Sequence, residues 1–195
     1  MRNTKEVKLI SMYYSKKILL LGIFALFVAA CTSTAPDDAP ELAGKTQTVK
    51  ENSVESEYQQ AIQLMRKGST DHAIKVLERI TLAHPKLSGP FANLGILYQK
   101  KDRLDDAEKA LRRAIGLNAS NAVTYNQLGI VYRKSGKFQE ARQYYERAIK
   151  IDPGYSIAYL NLGILYDLYL VDINQALVNY QQYQKLSNTK DQKVS

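Results

Sequence analysis

Three side-chain amides recur at intervals of 34 residues: Asn93, Gln127 and Asn161. Each stands immediately before a Leu-Gly pair. A primary amide both donates and accepts hydrogen bonds, so a row of them can pair with an extended polypeptide backbone. Residues for bond-breaking chemistry are sparse by comparison. The two histidines, His72 and His84, are too far apart in sequence for a paired-His metal motif, and Cys31 is the only cysteine. No Gly-rich phosphate loop and no nucleophile elbow occurs in the sequence. Asp105-Asp106, Glu108 and Glu140 read as solvated helix faces. The chemistry to expect is therefore binding, with no catalytic residue, metal ligand, cofactor or small-molecule substrate.

The elements that must hold those amides follow from a repeated pattern. Phe91, Leu94, Gly95 and Tyr98, followed by Ala107, Leu111 and Ala114, return 34 residues later as Tyr125, Leu128, Gly129, Tyr132, Ala141, Tyr145 and Ala148. Phe91, Leu94 and Tyr98 share one face of a helix, and Ala107, Leu111 and Ala114 share one face of a second. Gly95 and Ala107 are small where the two helices should cross. Lys67–Thr70, Lys101–Arg103 and Ser135–Lys137 read as the turns, and His84-Pro85 and Asp152-Pro153-Gly154 break the chain between pairs. Asn118–Asn121 does the same without a proline. One such pair cannot bury both of its faces, whereas stacked pairs bury a continuous core.

At these residues the chain resembles the tetratricopeptide repeat. The resemblance implies an all-α superhelical solenoid of about four helix-turn-helix repeats, at 54–87, 88–121, 122–155 and 156–190, with a short tail at 191–195. The first repeat is degenerate in its first helix, where Ala61 and Leu64 replace Gly and Tyr and the polar Glu57 and Gln60 suit a capping role. The fourth matches through Tyr159, Leu162, Gly163 and Tyr166, and then through Ala176, Tyr180 and Tyr183 only after a one-residue insertion within Asp167–Ile173. That turn is apolar, with Leu168, Tyr169, Leu170 and Val171, which either pack on their own second helix or form a contact patch. Tyr98, Tyr125, Tyr132, Tyr145, Tyr159, Tyr166 and Tyr180 fall on interior positions, and Tyr144, Tyr155 and Tyr169 are freer.

In this family the first helix of each pair lines an inner groove. The groove residues this implies are Asn93, Ile96, Gln99, Lys100, Asn126, Gln127, Ile130, Arg133, Lys134, Asn161 and Ile164. The amide row is similar to asparagine ladders in other superhelical repeats, with Ile96, Ile130 and Ile164 as an apolar row beside it. Arg133 and Lys134 would make the middle of the groove basic and favour an acidic segment. The positions that clamp a carboxylate in some relatives are here Val123 and Gln127, neither of them basic. Removing the Asn93 and Asn161 side chains should weaken binding and leave the fold intact.

The N-terminus carries a separate message. Arg2, Lys5, Lys8, Lys16 and Lys17 against Glu6 account for half of the formal net charge of +8, which leaves no clustered basic stripe for nucleic acid. Lys16-Lys17 precede the apolar run Ile18–Val28 and then Ala29-Ala30-Cys31, the layout of an export signal over residues 1–30. The run is short for a membrane span, which takes about 20 residues. Met12–Ala30 alone would make an ordinary signal. Val28-Ala29-Ala30-Cys31 resembles a bacterial lipobox, which implies a lipid on Cys31, and Thr32 after it implies the outer membrane, with the repeats in the periplasm. Residues 31–53 would be the lipidated cysteine and a flexible linker, spanning roughly 25 Å as a coil. The combination resembles pilotin-type pilus-assembly lipoproteins and other envelope adaptors of the repeat family. The expected function is a non-catalytic scaffold holding an extended segment of another envelope protein, as in pilus or secretin assembly. The alternatives are a self-assembling structural module, or an accessory subunit of an energy-transducing or cell-wall machine.

Overall fold

The computed structural model describes the backbone of residues 42–191 and the side chains of residues 53–188. The described chain is helical throughout: α1 (Leu42–Arg66), α2 (Thr70–Ala83), α3 (Ser88–Lys100), α4 (Leu104–Leu117), α5 (Ala122–Lys134), α6 (Phe138–Ile151), α7 (Ser156–Leu165) and α8 (Ile173–Asp191). A π-helical turn, Tyr166–Leu170, joins α7 to the loop before α8. The pairs α1/α2, α3/α4, α5/α6 and α7/α8 are the four expected repeats, and each second helix also packs on the first helix of the next pair. The first helices touch one another as well, α3 with α5 and α5 with α7. Cys31, the expected signal at 1–30 and residues 32–41 lie outside the described residues.

One boundary is corrected. The flexible linker expected up to residue 53 gives way to helix at Leu42. Pro40 is the last proline before Pro85, and Leu42, Ala43, Lys45, Gln47, Lys50 and Glu51 are good helix formers that continue into the first repeat.

Turn chemistry follows the repeat. Gly68, Asp102 and Gly136, spaced by 34, all adopt the left-handed backbone, with φ of 74°, 59° and 73°. Val171 takes the same role one residue late, with φ 55°. The inserted residue of the fourth repeat is absorbed by the π-helical turn just before it, the usual way an α-helix accommodates one extra residue. Without a proline, the Asn118–Asn121 break is built by side chains. Asn118 Oδ1 accepts from the Ser120 N–H at 3.1 Å, and Asn121 Oδ1 caps α5 by accepting from the Thr124 N–H at 3.2 Å.

The core is organised by contact between glycine and a large side chain. A Cβ on Gly129 would lie 2.6 Å from the Tyr145 ring, and one on Gly163 would lie 2.7 Å from Tyr180. A Cβ on Gly95 would lie 2.7 Å from Leu111 Cδ2. Ala61, Ala73, Ala107 and Ala141 are fully buried at the same crossings. Between repeats, tyrosines reach carboxylates of the preceding pair. Tyr98 Oη donates to Glu78 at 2.7 Å and Tyr132 Oη to Glu108 at 2.7 Å, while Arg112 bonds both Glu108 and Tyr132. Burial raises the Tyr98 hydroxyl to a pKa of about 12, and the Glu78 carboxylate adds to the shift. Burial and Glu108 raise Tyr132 in the same way.

Gly129→Ala should destabilise by about 1–3 kcal/mol, because Tyr145 is fully buried and cannot yield. Gly116→Ala, in α4 with nothing within 4 Å of the new methyl, should stabilise by roughly 0.5–1 kcal/mol in urea denaturation. The tyrosines set an alkaline limit. Their folded pKa values lie above the unfolded value, so their contribution is complete below about pH 10 and lost as pH rises through the folded values. Melting temperature should hold between about pH 7 and 9 and fall above about 10, less steeply in Tyr98→Phe/Tyr132→Phe.

Candidate functional site

The first helices meet along a seam with a regular geometry. The fifth residue of each first helix, counted in the repeat, is Tyr58, Ala92, Asn126 or Leu160, and the sixth residue of the following one is Asn93, Gln127 or Asn161. Where the fifth residue is polar, the two bond. Asn93 Nδ2 donates to Tyr58 Oη at 2.7 Å, and Asn161 Nδ2 donates to Asn126 Oδ1 at 2.9 Å. At the middle step Ala92 offers no polar group to Gln127. Here the seam opens into a cleft of about 230 Å³ lined by Tyr58, Gly89, Ala92, Asn93, Ile96, Leu111, Asn121, Val123, Thr124 and Gln127. Ala92 thus creates a concavity with an apolar floor, Ile96 and Leu111, and amides on its walls.

The expected groove residues divide on this geometry. Asn93, Gln127 and Ile96 come together in the cleft. Asn161, Ile130 and Ile164 continue the two rows, each half-buried. Asn126 is corrected: it is 0 % exposed, on α5 where α7 packs against it. The basic centre is corrected at Lys134 alone. Lys134 Nζ binds Asp102 at 2.8 Å and the Gln99 carbonyl at 3.3 Å, on the preceding repeat. The Arg133 guanidinium sits 5.7 Å above the Tyr169 ring and donates to its hydroxyl at 3.3 Å, on the following repeat. Lys134 is thus paired with a carboxylate, whereas the partner of Arg133 is a neutral phenol and leaves its positive charge in place. Gln99 is half-buried and Lys100 exposed at the far rim.

The amide row also carries structural duty, contrary to the expectation that Asn93 and Asn161 could be removed without effect on the fold. The freer tyrosines are engaged as well. Tyr144 stacks on Tyr132 at 5.1 Å, and Tyr169 packs on Phe138 at 4.7 Å. Sequence reasoning missed three contributors. Tyr58 lies in the degenerate repeat, 35 residues before Asn93. Val123 and Ile157, 34 apart, are 44 % and 41 % exposed near the starts of α5 and α7. An apolar residue repeated at an exposed position was the available signal. Burial raises the Tyr58 hydroxyl above its ordinary range, with Glu55 adding to this and the Asn93 amide partly offsetting it. Among the described residues no cluster of His, Cys, Asp or Glu is placed to hold a metal ion, and no helix is long and apolar enough to cross a membrane.

The Tyr58–Asn93 bond is testable. Tyr58→Phe and Asn93→Ala should each lower stability by about 0.5–1.5 kcal/mol, and the double variant should lose less than the sum.

Comparison with known proteins agrees with the architecture. A family model described as tetratricopeptide repeat matches residues 91–153 and 122–188, together half of the chain. No curated protein matches the sequence. Among solved structures, a crystal structure of MamA is similar at 27 % identity and a TM-score of 0.66, covering 76 % of this chain and 86 % of that one. MamA from Desulfovibrio magneticus RS-1 is similar in fold at 20 % identity and a TM-score of 0.64, covering 73 % and 80 %. The first repeat unit of Spaghetti (RPAP3), solved bound to the HSP90 peptide SRMEEVD, is similar in fold at 22 % identity and a TM-score of 0.56, covering 58 % and 90 %. With its helix pairs, their 34-residue period and this match, the chain belongs to the tetratricopeptide repeat family.

Proposed function

We propose that the chain is a non-catalytic scaffold that holds an extended segment of another protein along its first helices. The observation that carries this reading is the break in the seam at Ala92. Two of the three amides bond to the preceding repeat, and the third, Gln127, faces a cleft. An extended strand laid there meets the Gln127 amide with its backbone and the Ile96, Val123 and Ile157 side chains with its own apolar groups. The segment is predominantly apolar, to match the Ile96, Val123 and Ile157 side chains, and Lys134 is paired with Asp102. The Spaghetti repeat unit bound to a peptide supports the general mode, although its peptide SRMEEVD is acidic.

The cellular setting is part of the same proposal and rests on the sequence. A lipid on Cys31 anchors the repeats to the bacterial outer membrane from the periplasmic side, and the held segment belongs to an envelope protein, as in pilus or secretin assembly. Metabolic labelling with a palmitate analogue should mark the wild type and not Cys31→Ser.

Ala92→Asn tests the site. It copies the Asn126 arrangement at the open step, supplies Gln127 with a partner and narrows the cleft. A photo-crosslinking side chain at Val123, which lines the cleft and leaves the Gln127 amide in place, should capture a polypeptide in native envelopes, and the same group at Lys109 should not. Ala92→Asn should abolish the capture while leaving the melting curve in place. Equal capture at Val123 and Lys109, or capture indifferent to Ala92→Asn, contradicts the assignment.

A further inference from the structure

One contact inside each repeat recurs three times and is missing from the fourth. Arg79, Arg113 and Arg147 on the second helices are spaced by 34, and so are Glu57, Phe91 and Tyr125 on the first helices. Each arginine meets its counterpart. Arg79 pairs with Glu57 at 3.1 Å, the Arg113 guanidinium lies 5.8 Å from the centre of the Phe91 ring, and the Arg147 guanidinium lies 6.0 Å from that of Tyr125. In the fourth repeat the ring is Tyr159, and, allowing for the inserted residue, Gln182 takes the place of the arginine. Among the described residues no cation and no second ring lies on Tyr159. The ring instead borders a cavity of about 510 Å³ lined by Tyr159, Val178, Asn179, Gln181, Gln182 and Lys185.

We propose that this cavity receives an arginine side chain of a partner protein, whose guanidinium takes the place that Arg113 and Arg147 hold in the two repeats before it. Three features select that group. The first is the precedent within the array: the same ring position twice carries a guanidinium at about the 6 Å reach of a cation–π contact. A lysine ammonium lacks the flat face that stacks on a ring. The second is the supply of acceptors. Asn179 is only 7 % exposed, and its Nδ2 donates to the Gln175 carbonyl at 2.8 Å. That leaves Oδ1 as an acceptor with no donor among the described residues. A guanidinium has five N–H donors and no acceptor, so it suits such a site. Arg113 also donates to the Pro85 carbonyl at 2.9 Å, and Pro153 stands two periods after Pro85. The third is charge. The Asp152 carboxylate adds to the rise that burial causes in the Tyr159 hydroxyl pKa, and among the described residues no ion pair engages Asp152. Lys185 is exposed at the cavity, and Lys150 holds the equivalent position in the third repeat, on the same helix as Arg147. The array therefore already carries a lysine at this position together with a guanidinium on the ring. The site is separate from the Ala92 cleft and does not depend on what that cleft binds.

The test is NMR of the full chain in mild detergent, titrated with N-acetylarginine amide, which stands for an arginine within a polypeptide. The Val178 methyl and Asn179 side-chain amide resonances should shift saturably, and the Ile96 and Val123 methyls at the Ala92 cleft should stay in place. N-acetylcitrulline amide has nearly the same shape without the charge, and should bind at least about fivefold more weakly. Gln182→Arg supplies the missing guanidinium from within, as Arg147 does one repeat earlier. It should abolish the response to the probe and leave helical circular dichroism unchanged. The absence of a saturable shift at Val178 overturns the proposal. So does an equal response to the citrulline probe, or a response that survives Gln182→Arg. Free arginine binding at least about tenfold more tightly than the blocked probe would make this a small-molecule site and overturn the assignment to a protein partner.

Discussion

The absence of one methyl group, three times over, holds this array together. At Gly95, Gly129 and Gly163 the first helix of a pair lies so close to the second that a Leu or Tyr side chain occupies the space of a Cβ. The close approach lets each pair bury its own crossing, and leaves the flank of the second helix free to pack on the next pair. Everything proposed about function depends on this step repeating. Only a constant pair geometry places residues 34 apart in equivalent surroundings, and only then do the fifth and sixth residues of successive first helices meet along a seam.

That seam shows how a cleft can arise from an omission. Tyr58–Asn93 and Asn126–Asn161 are closed steps, each with a hydrogen bond across the boundary. The middle step has Ala92 in place of a polar residue, and the result is a concavity between two staples. The closed steps hold the walls at fixed separation, so the open one is preorganised for a ligand. The neighbouring cations take part in the same stapling. Lys134 reaches back to Asp102 and Arg133 reaches forward to Tyr169, which ties successive repeats together.

The periodic part of this was legible in the sequence. Glycine, alanine and tyrosine at a 34-residue beat report interior sterics, and interior sterics are local to one pair. The helix pairs, the turns at Gly68, Asp102 and Gly136 and the insertion in the fourth repeat were all readable from that beat. What failed was whatever depended on the neighbour across a repeat boundary. Asn126 looked like a groove residue because a helical wheel does not show that α7 covers it. Arg133 and Lys134 looked like free cations because their partners lie 36 and 32 residues away in a different pair. Tyr58 was overlooked because its repeat lacks the glycine that marks the others. The linker boundary slipped to Leu42 because helix propensity alone, with no periodic face, gives little signal.

The central claim is that a polypeptide partner lies along the first helices, over the step opened by Ala92. Methyl NMR of the chain, with and without a polypeptide identified by crosslinking in native envelopes, tests this most directly. Binding should shift the methyl resonances of Ile96, Val123, Ile157 and Ile164 and leave Leu82 in α2 and Leu117 in α4 unmoved. Shifts confined to Leu82, Leu117 and their neighbours on the second helices would contradict it.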